Sequence, residues 1–463
     1  MPPKRLLLII LFLIFALVLA GCGASAKNDD DSAAPADDDA HDDDATPGAD
    51  DDVGDDDTAP CDDSLRPVVF VHGVLEFGDA FSNQAMRYGS NGYCLNRIYT
   101  YDYNSLIGPN GANVTGLETF VDHALVETGA AQVDLLGHSL GGAVCQEYLK
   151  TPANAAKVAH YANLASFDVS GGQPLPVPAL NISSTADHIA GPSTLTGAQN
   201  VTFDDLDHLQ VATSAETFAT FFNFFYGEPP TTTDIVPAEP IVLSGRVLVF
   251  ALNQPATNHV VQIYEVSPET GERQTADPLA EFTTDENGGW GDFTATPGAY
   301  YEFAIIDASG EWPPVHYYRE PFQRANNKVY FRSLPPRRSL LGFVFSLLPY
   351  NDDYAIFAWL EINQAFVYGR DTMTVDGLDI TSPAMADPSI TTIAIFFFDT
   401  NFNGVSDQKP SGGLYNKFIF MRFFDLLIPS TPARGVPFVF DGRPITIRNW
   451  PSKTGGLSIT VFE

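Results

Sequence analysis

Residues 133–142 read VDLLGHSLGG, an apolar, strand-like run that passes at Gly137-His138-Ser139-Leu140-Gly141 directly into a helix-like one. A strand feeding straight into a helix leaves little room at the junction. Glycines two places either side of the serine remove side chains that would collide there. The serine takes strained backbone geometry, its hydroxyl clear of the sheet at the helix's positive end. Such a junction requires a parallel sheet covered by helices, and the flanking pattern agrees. Strand-like runs at 67–73, 97–103, 131–138, 158–164, 179–183 and 200–203 alternate with helix-like runs at 79–88, 116–127, 140–149 and 214–226. The spacing predicts one α/β domain over 61–227, doubly wound and mostly parallel.

A serine hydroxyl is a weak nucleophile near neutral pH and needs a base, which in turn needs a carboxylate to hold its tautomer. In folds with this junction the chain order is serine, acid, histidine. Three histidines follow Ser139 within the domain: His160, His188 and His208. His160 falls inside a strand, and His188 directly follows the best acid. His208 lies between the last strand and the last helix, where the base belongs. Asp187, after the penultimate strand, is the expected acid; Asp168, after the strand before it, is the competing candidate. An oxyanion formed at Ser139 needs two backbone donors, expected at Val74, in the turn after the first strand, and at Leu140. His72 is then structural.

VVFVHG, GHSLGG, the run Ser184-Thr185-Ala186-Asp187-His188-Ile189 and GAQNV ahead of the His208 loop together resemble the bacterial and archaeal true lipases, which implies the α/β-hydrolase fold for this doubly wound, mostly parallel sheet. SAETFATFF, TTTDIVP and HYYREPF further resemble two-domain archaeal-type lipases, in which a β domain follows the hydrolase and helps with long-chain esters. Two departures stand out. Those relatives place the acid after the earlier strand, where this chain has Ala165, which supports Asp187. They also insert a helical lid after the second strand, where this chain has only residues 104–115, a loop's length.

The chain opens with Lys4 and Arg5, an unbroken apolar run from Leu6 to Leu19, and then Ala20, Gly21 and Cys22. The run is short for a membrane span and reads as an export signal over 1–21. Leu19-Ala20-Gly21-Cys22 resembles the lipobox of bacterial lipoproteins, which implies acylation of Cys22 and a lipid-anchored place in the cell envelope, at the outer membrane or cell surface. Residues 22–60 read as an acidic tether, with fifteen aspartates in five triplets between Asp29 and Asp57. Its like charges repel and it lacks apolar residues to offset chain entropy. Setting aside those aspartates and the cations Lys4, Arg5 and Lys27 brings the formal charge of −34 to −22, which disfavours nucleic acid and anionic surfaces as partners. Cys145 falls on a buried helix; by elimination Cys61 and Cys94 are the disulfide candidates, which an exported protein permits.

The Pro- and Thr-rich segment 228–240 reads as a linker. Over 241–463 the helical period disappears, and aromatic and β-branched runs between turns predict an all-β region, antiparallel and sandwich- or barrel-like. Within it Asp399, Asn401, Asn403 and Asp407 have the spacing of a calcium loop with Gly404 at its sixth position, though Pro410 stands where the bidentate glutamate belongs. A plain Asx-rich turn is the competing reading.

The expected activity is hydrolysis of lipid esters through an acyl-enzyme, with no required cofactor, a possible structural calcium, and a membrane partner through the anchor. The alternatives are a surface-binding lipoprotein with an inactive hydrolase domain, an acyltransferase, and a polyester depolymerase.

Overall fold

The parallel sheet forms because its inner strands are buried on both faces, as a sheet covered by helices on both sides requires, while its edge at Gln199–Phe203 is more polar and exposed. In the computed structural model, which describes residues 61–109, 111–412 and 419–463, six strands lie side by side: β1 (Val68–Val71), β2 (Ile98–Tyr101), β3 (Val133–His138), β4 (Val158–Leu164), β5 (Ala179–Ser184) and β6 (Gln199–Phe203). Their order is β2-β1-β3-β4-β5-β6, every pair parallel. The covering helices are α1 (Ser82–Ser90), α2 (Gly111–Thr128), α3 (Leu140–Leu149), α4 (Pro152–Ala155), α5 (Gln210–Thr213) and α6 (Ala215–Tyr226). The expected leader, Cys22 and the acidic tether lie outside the described residues. Cys61 and Cys94 are joined in a disulfide, and Cys145 is buried and free.

One helix starts earlier than its sequence predicts. α2 begins at Gly111 rather than Gly116, because Gly116 sits inside the helix for fit: a Cβ there would lie 2.0 Å from the Tyr101 hydroxyl. In a sequence, a mid-helix glycine weighs against the helix.

The β region stacks in three layers. β7 (Ile241–Val249), β8 (Val260–Val266), β9 (Ala280–Thr283), β10 (Gly289–Ala295), β11 (Tyr300–Ile306), β12 (Val315–Arg319) and β13 (Phe331–Ser333) lead to α7 (Leu340–Ser346) and β14 (Tyr354–Glu361). The middle layer is a ten-stranded sheet in which Leu457–Phe462 lies between β12 and β14 and is parallel to both. The sheet is therefore mixed rather than purely antiparallel. On one face lies the three-stranded sheet β10-β7-β13, and on the other a four-stranded sheet containing Met373–Val375, Gly435–Phe440 and Arg443–Arg448. Alternate residues of the middle layer feed opposite cores. Ile356, Ala358, Phe396 and Phe398 bury with β7, whereas Phe357, Trp359, Ile395 and Phe397 bury with Phe438 and Phe440. The unbroken apolar run at 393–398 follows from this double-sided burial.

Cys61–Glu463 is one compact unit, and polar contacts bind its two parts. Arg332 grips Asp79 with both guanidinium nitrogens, Arg246 pairs with Asp102 at 2.8 Å, and Lys328 Nζ donates to Ile98 O at 2.9 Å. Segment 228–240, the expected linker, has no helix or strand but is strapped along α1. Arg87 Nε donates to Thr233 O at 2.9 Å, and Asn91 exchanges hydrogen bonds with Thr232 at 2.8 and 3.1 Å.

Candidate active site

Ser139 sits between β3 and α3 with φ 51° and ψ −120°, left-handed backbone that a non-glycine residue holds only under strain. The neighbouring glycines are sterically required. A Cβ on Gly141 would lie 2.2 Å from Val71 O, and one on Gly137 would lie 2.6 Å from Gly142 Cα. The Ser139 amide is fixed by Leu164 O at 2.9 Å, while its hydroxyl makes no hydrogen bond among the described residues.

His208, 2% exposed, lies in the loop between β6 and α5, and its Nδ1 lies 2.9 Å from Asp187 Oδ2. Asp187 Oδ1 accepts from the amides of Ile189 at 2.8 Å and Ala190 at 3.0 Å. Burial alone would raise the Asp187 pKa, but His208 and those two amides outweigh it and hold the carboxylate below its ordinary value. The competing Asp168 is exposed and serves a turn, accepting from the Ser170 amide and hydroxyl. His160 pairs with Asp134 at 2.8 Å, and His188 is exposed.

The turn after β1 presses on the nucleophile, since a Cβ on Gly73 would lie 3.0 Å from Ser139 Cβ. Within it the Val74 amide has no acceptor among the described residues. Leu140 is the first residue of α3, so its amide points off the helix N-terminus without an intrahelical partner. His72 is consumed structurally: its ring stacks on Tyr103 at 4.5 Å, Nδ1 meets Gly73 O at 2.8 Å and Nε2 accepts from Asn253 at 2.9 Å. Burial lowers its pKa and keeps the ring neutral.

Two residues at this site have no signal in the sequence. Glu76 accepts from the Gly73 amide at 2.5 Å and from His138 Nδ1 at 2.9 Å, while His138 Nε2 donates to His208 O at 3.0 Å. The Glu76 carboxylate therefore links the β1 turn, the nucleophile junction and the histidine loop. Burial opposes its charge, yet His138 and the Gly73 amide hold its pKa at about 2; burial likewise opposes charge on His138, and Glu76 raises it nonetheless. The second residue comes from the β region. Asn253, 5% exposed with φ 54°, donates to His72 Nε2 and to Glu76 O, both at 2.9 Å.

An apolar cavity opens beside these groups. Leu75, Glu76 and Leu209 line one part; Phe345, Phe396 and Ile459 of the β region line others. Elsewhere, the expected calcium loop is knitted by hydrogen bonds. Asp399 accepts from the amides of Asn403 and Gly404, Asn401 Nδ2 donates to Asp407 and Asp425, and Asn403 accepts from the Val405 amide. Among the described residues no group of three or more His, Cys, Asp or Glu is placed to hold a metal ion, and no helix is long and apolar enough to cross a membrane.

Residues 65–159 match the Lipase (class 2) family and residues 239–336 the Lipase C-terminal domain. Three solved structures are similar in part. A predicted CIB-like hydrolase from Thermoplasma acidophilum is 16% identical over 35% of this chain and 87% of its own, with a TM-score of 0.28. A mature-form lipase from Bacillus licheniformis is 16% identical over 37% and 96%, with a TM-score of 0.28. A carboxylesterase from Bacillus subtilis is 12% identical over 36% and 86%, with a TM-score of 0.29.

Proposed function

From the premise that this chain is of the lipase and esterase kind, its hydrolase half and its β region each matching a lipase family, we propose that it hydrolyses carboxylic esters of long-chain lipids through an acyl-enzyme. Ser139 Oγ attacks the ester carbonyl carbon while His208 Nε2 takes its proton, and Asp187 holds Nδ1–H and stabilises the imidazolium. The Val74 and Leu140 amides receive the developing oxyanion. Collapse of that intermediate breaks the bond to the alcohol, which leaves with the proton from His208. Water then repeats the sequence on the acyl-serine, releasing the fatty acid. These steps use side chains and amides of this chain, and any calcium at 399–407 would be structural.

The observation that carries the lipid part of the reading is the apolar cavity, which is lined by Leu75 and Glu76 of the β1 turn and by Leu209, the residue after His208, and draws its far walls from the β region. An alkyl chain entering it loses contact with water at about 25 cal/mol per Å². A lipid anchor on Cys22, followed by the acidic tether, would hold the enzyme at the outer surface of the cell envelope.

The test is turnover of p-nitrophenyl esters from C4 to C16 by wild type, Ser139→Ala and Asp187→Asn. Wild type should turn over and prefer the longer chains, with both variants down by about a thousandfold or more in kcat. An active Asp187→Asn would shift the acid's role to Asp168. A wild type inert on every ester would leave the surface-binding reading in its place.

A further inference from the structure

A helix lying on a protein surface ordinarily turns its apolar positions i, i+3, i+4 and i+7 toward the core. The connection between β13 and β14 does the reverse. Leu340, Phe343, Val344 and Leu347 have that spacing along α7 and its first following residue, yet they are 51%, 57%, 46% and 56% exposed. The helix is seated firmly in this orientation. Ser339 caps it by accepting from the Gly342 amide at 3.0 Å, and Gly342 lies so close to the chain that a Cβ there would meet Pro336 O at 2.0 Å. Phe345 points inward, against Phe250 at 5.4 Å and into the wall of the apolar cavity.

Charge indicates what covers this stripe. The chain carries 58 acidic residues, yet residues 321–351 contain none, and Arg337 and Arg338 directly precede the helix. Arg337 is held by Glu311 O at 2.6 Å and lies over the Trp312 ring. Arg338 is exposed and makes no ion pair among the described residues. The net charge of the body works against anionic surfaces in general, but this face differs locally: an apolar stripe beside the free charge of Arg338 complements an anionic lipid surface, hydrocarbon taking the side chains and lipid phosphates the guanidinium.

We propose that α7 is a docking helix for anionic lipid surfaces, seated at the Phe345 wall of the cavity so that an ester drawn from the surface passes beneath it toward Ser139. Delivery to Ser139 rests on the ester-hydrolase reading; docking does not.

The experiment places a reporter in the stripe of the full chain. Phe343→Trp is compared, by difference from wild type, with Val126→Trp on α2, a residue 83% exposed. On vesicles of phosphatidylcholine and phosphatidylglycerol, the added emission of Phe343→Trp should shift to the blue, less so on pure phosphatidylcholine, while that of Val126→Trp stays put. Emission from the stripe reporter that is unmoved on both vesicles overturns the proposal. So does emission already blue-shifted without lipid, since a second copy or the chain's own apolar segment 6–19 would then cover the stripe. As a second arm, Phe343→Ser with Leu347→Ser should lower turnover of an emulsified long-chain ester by about tenfold or more, leaving a soluble C4 ester within about twofold. Equal loss on both esters, or on neither, overturns delivery. A wild type inert on both sinks the hydrolase reading while the fluorescence still decides docking.

Discussion

Glu76 and His138, the residue before Ser139, form a buried ion pair, and their titrations set a window. Glu76 drops from an ordinary 4.5 to about 2 in the folded chain, so its stabilisation is complete above pH 4.5 and is lost as pH falls toward 2. His138 is raised above its ordinary 6.5, so its stabilisation is complete below that pH and is lost as pH climbs through its folded value. The pair therefore contributes most between pH 4.5 and 6.5. Glu76→Gln should cost about 3 kcal/mol or more there, because it strands a buried imidazolium. Melting curves of both proteins from pH 3 to 9 would show the gap narrowing at each end; a constant gap would mean the pair is neutral in the fold. Asn253 invites a different comparison. Asn253→Ala keeps a left-handed φ without the amide, whereas Asn253→Gly relieves the strain and still lacks it. Both should lower kcat by about tenfold with little change in KM, as expected when an interaction acts through the transition state. Recovery of kcat in the glycine variant would mean backbone strain, not the amide, is responsible. Ser139, Asp187 and His208 were legible because a turn and a chain order announce them. Glu76 and Asn253 were not, since neither stands at a diagnostic spacing and Asn253 meets His72 across 181 positions of sequence.

At the scale of elements, legibility followed the strength of the period. The runs of the hydrolase sheet are apolar, short and bounded by turns, and each strand lies within a residue or two of its expected place. α7 escaped notice because its inward Leu341 and Phe345 and its outward stripe are all apolar, which erases the two-faced signature of a surface helix. The mixed direction of the large sheet was equally invisible. Period two is the same for parallel and antiparallel strands, and Leu457–Phe462 finds its partners β12 and β14 from far along the chain.

Across the whole described body, the division at 228–240 marks where the folding pattern changes but not where the molecule comes apart. Asp79 is fully buried and clasped by Arg332 from the β region, and Asn253 reaches the active site from that region too. Hydrolase and β region should therefore unfold together. Asp79→Asn should lower stability by about 3–5 kcal/mol, having left a buried guanidinium without its counter-charge, and calorimetry should still record one transition. Two separated transitions in wild type would contradict this account.

The placement of Leu457–Phe462 also dictates an order of assembly. All six strands of the hydrolase sheet are made once the chain has emerged as far as Phe203, before any strand of the β region. The middle layer of the β region is complete only later, because its central slot stays empty until Leu457–Phe462 arrives. During synthesis the parallel-sheet half thus meets a partner still in pieces. Asn253 and Arg332, which come from that partner, join the active-site turn and the Asp79 clasp only when it is finished. The contacts of Asn253 and Arg332 thus depend on residues more than a hundred positions further along the chain.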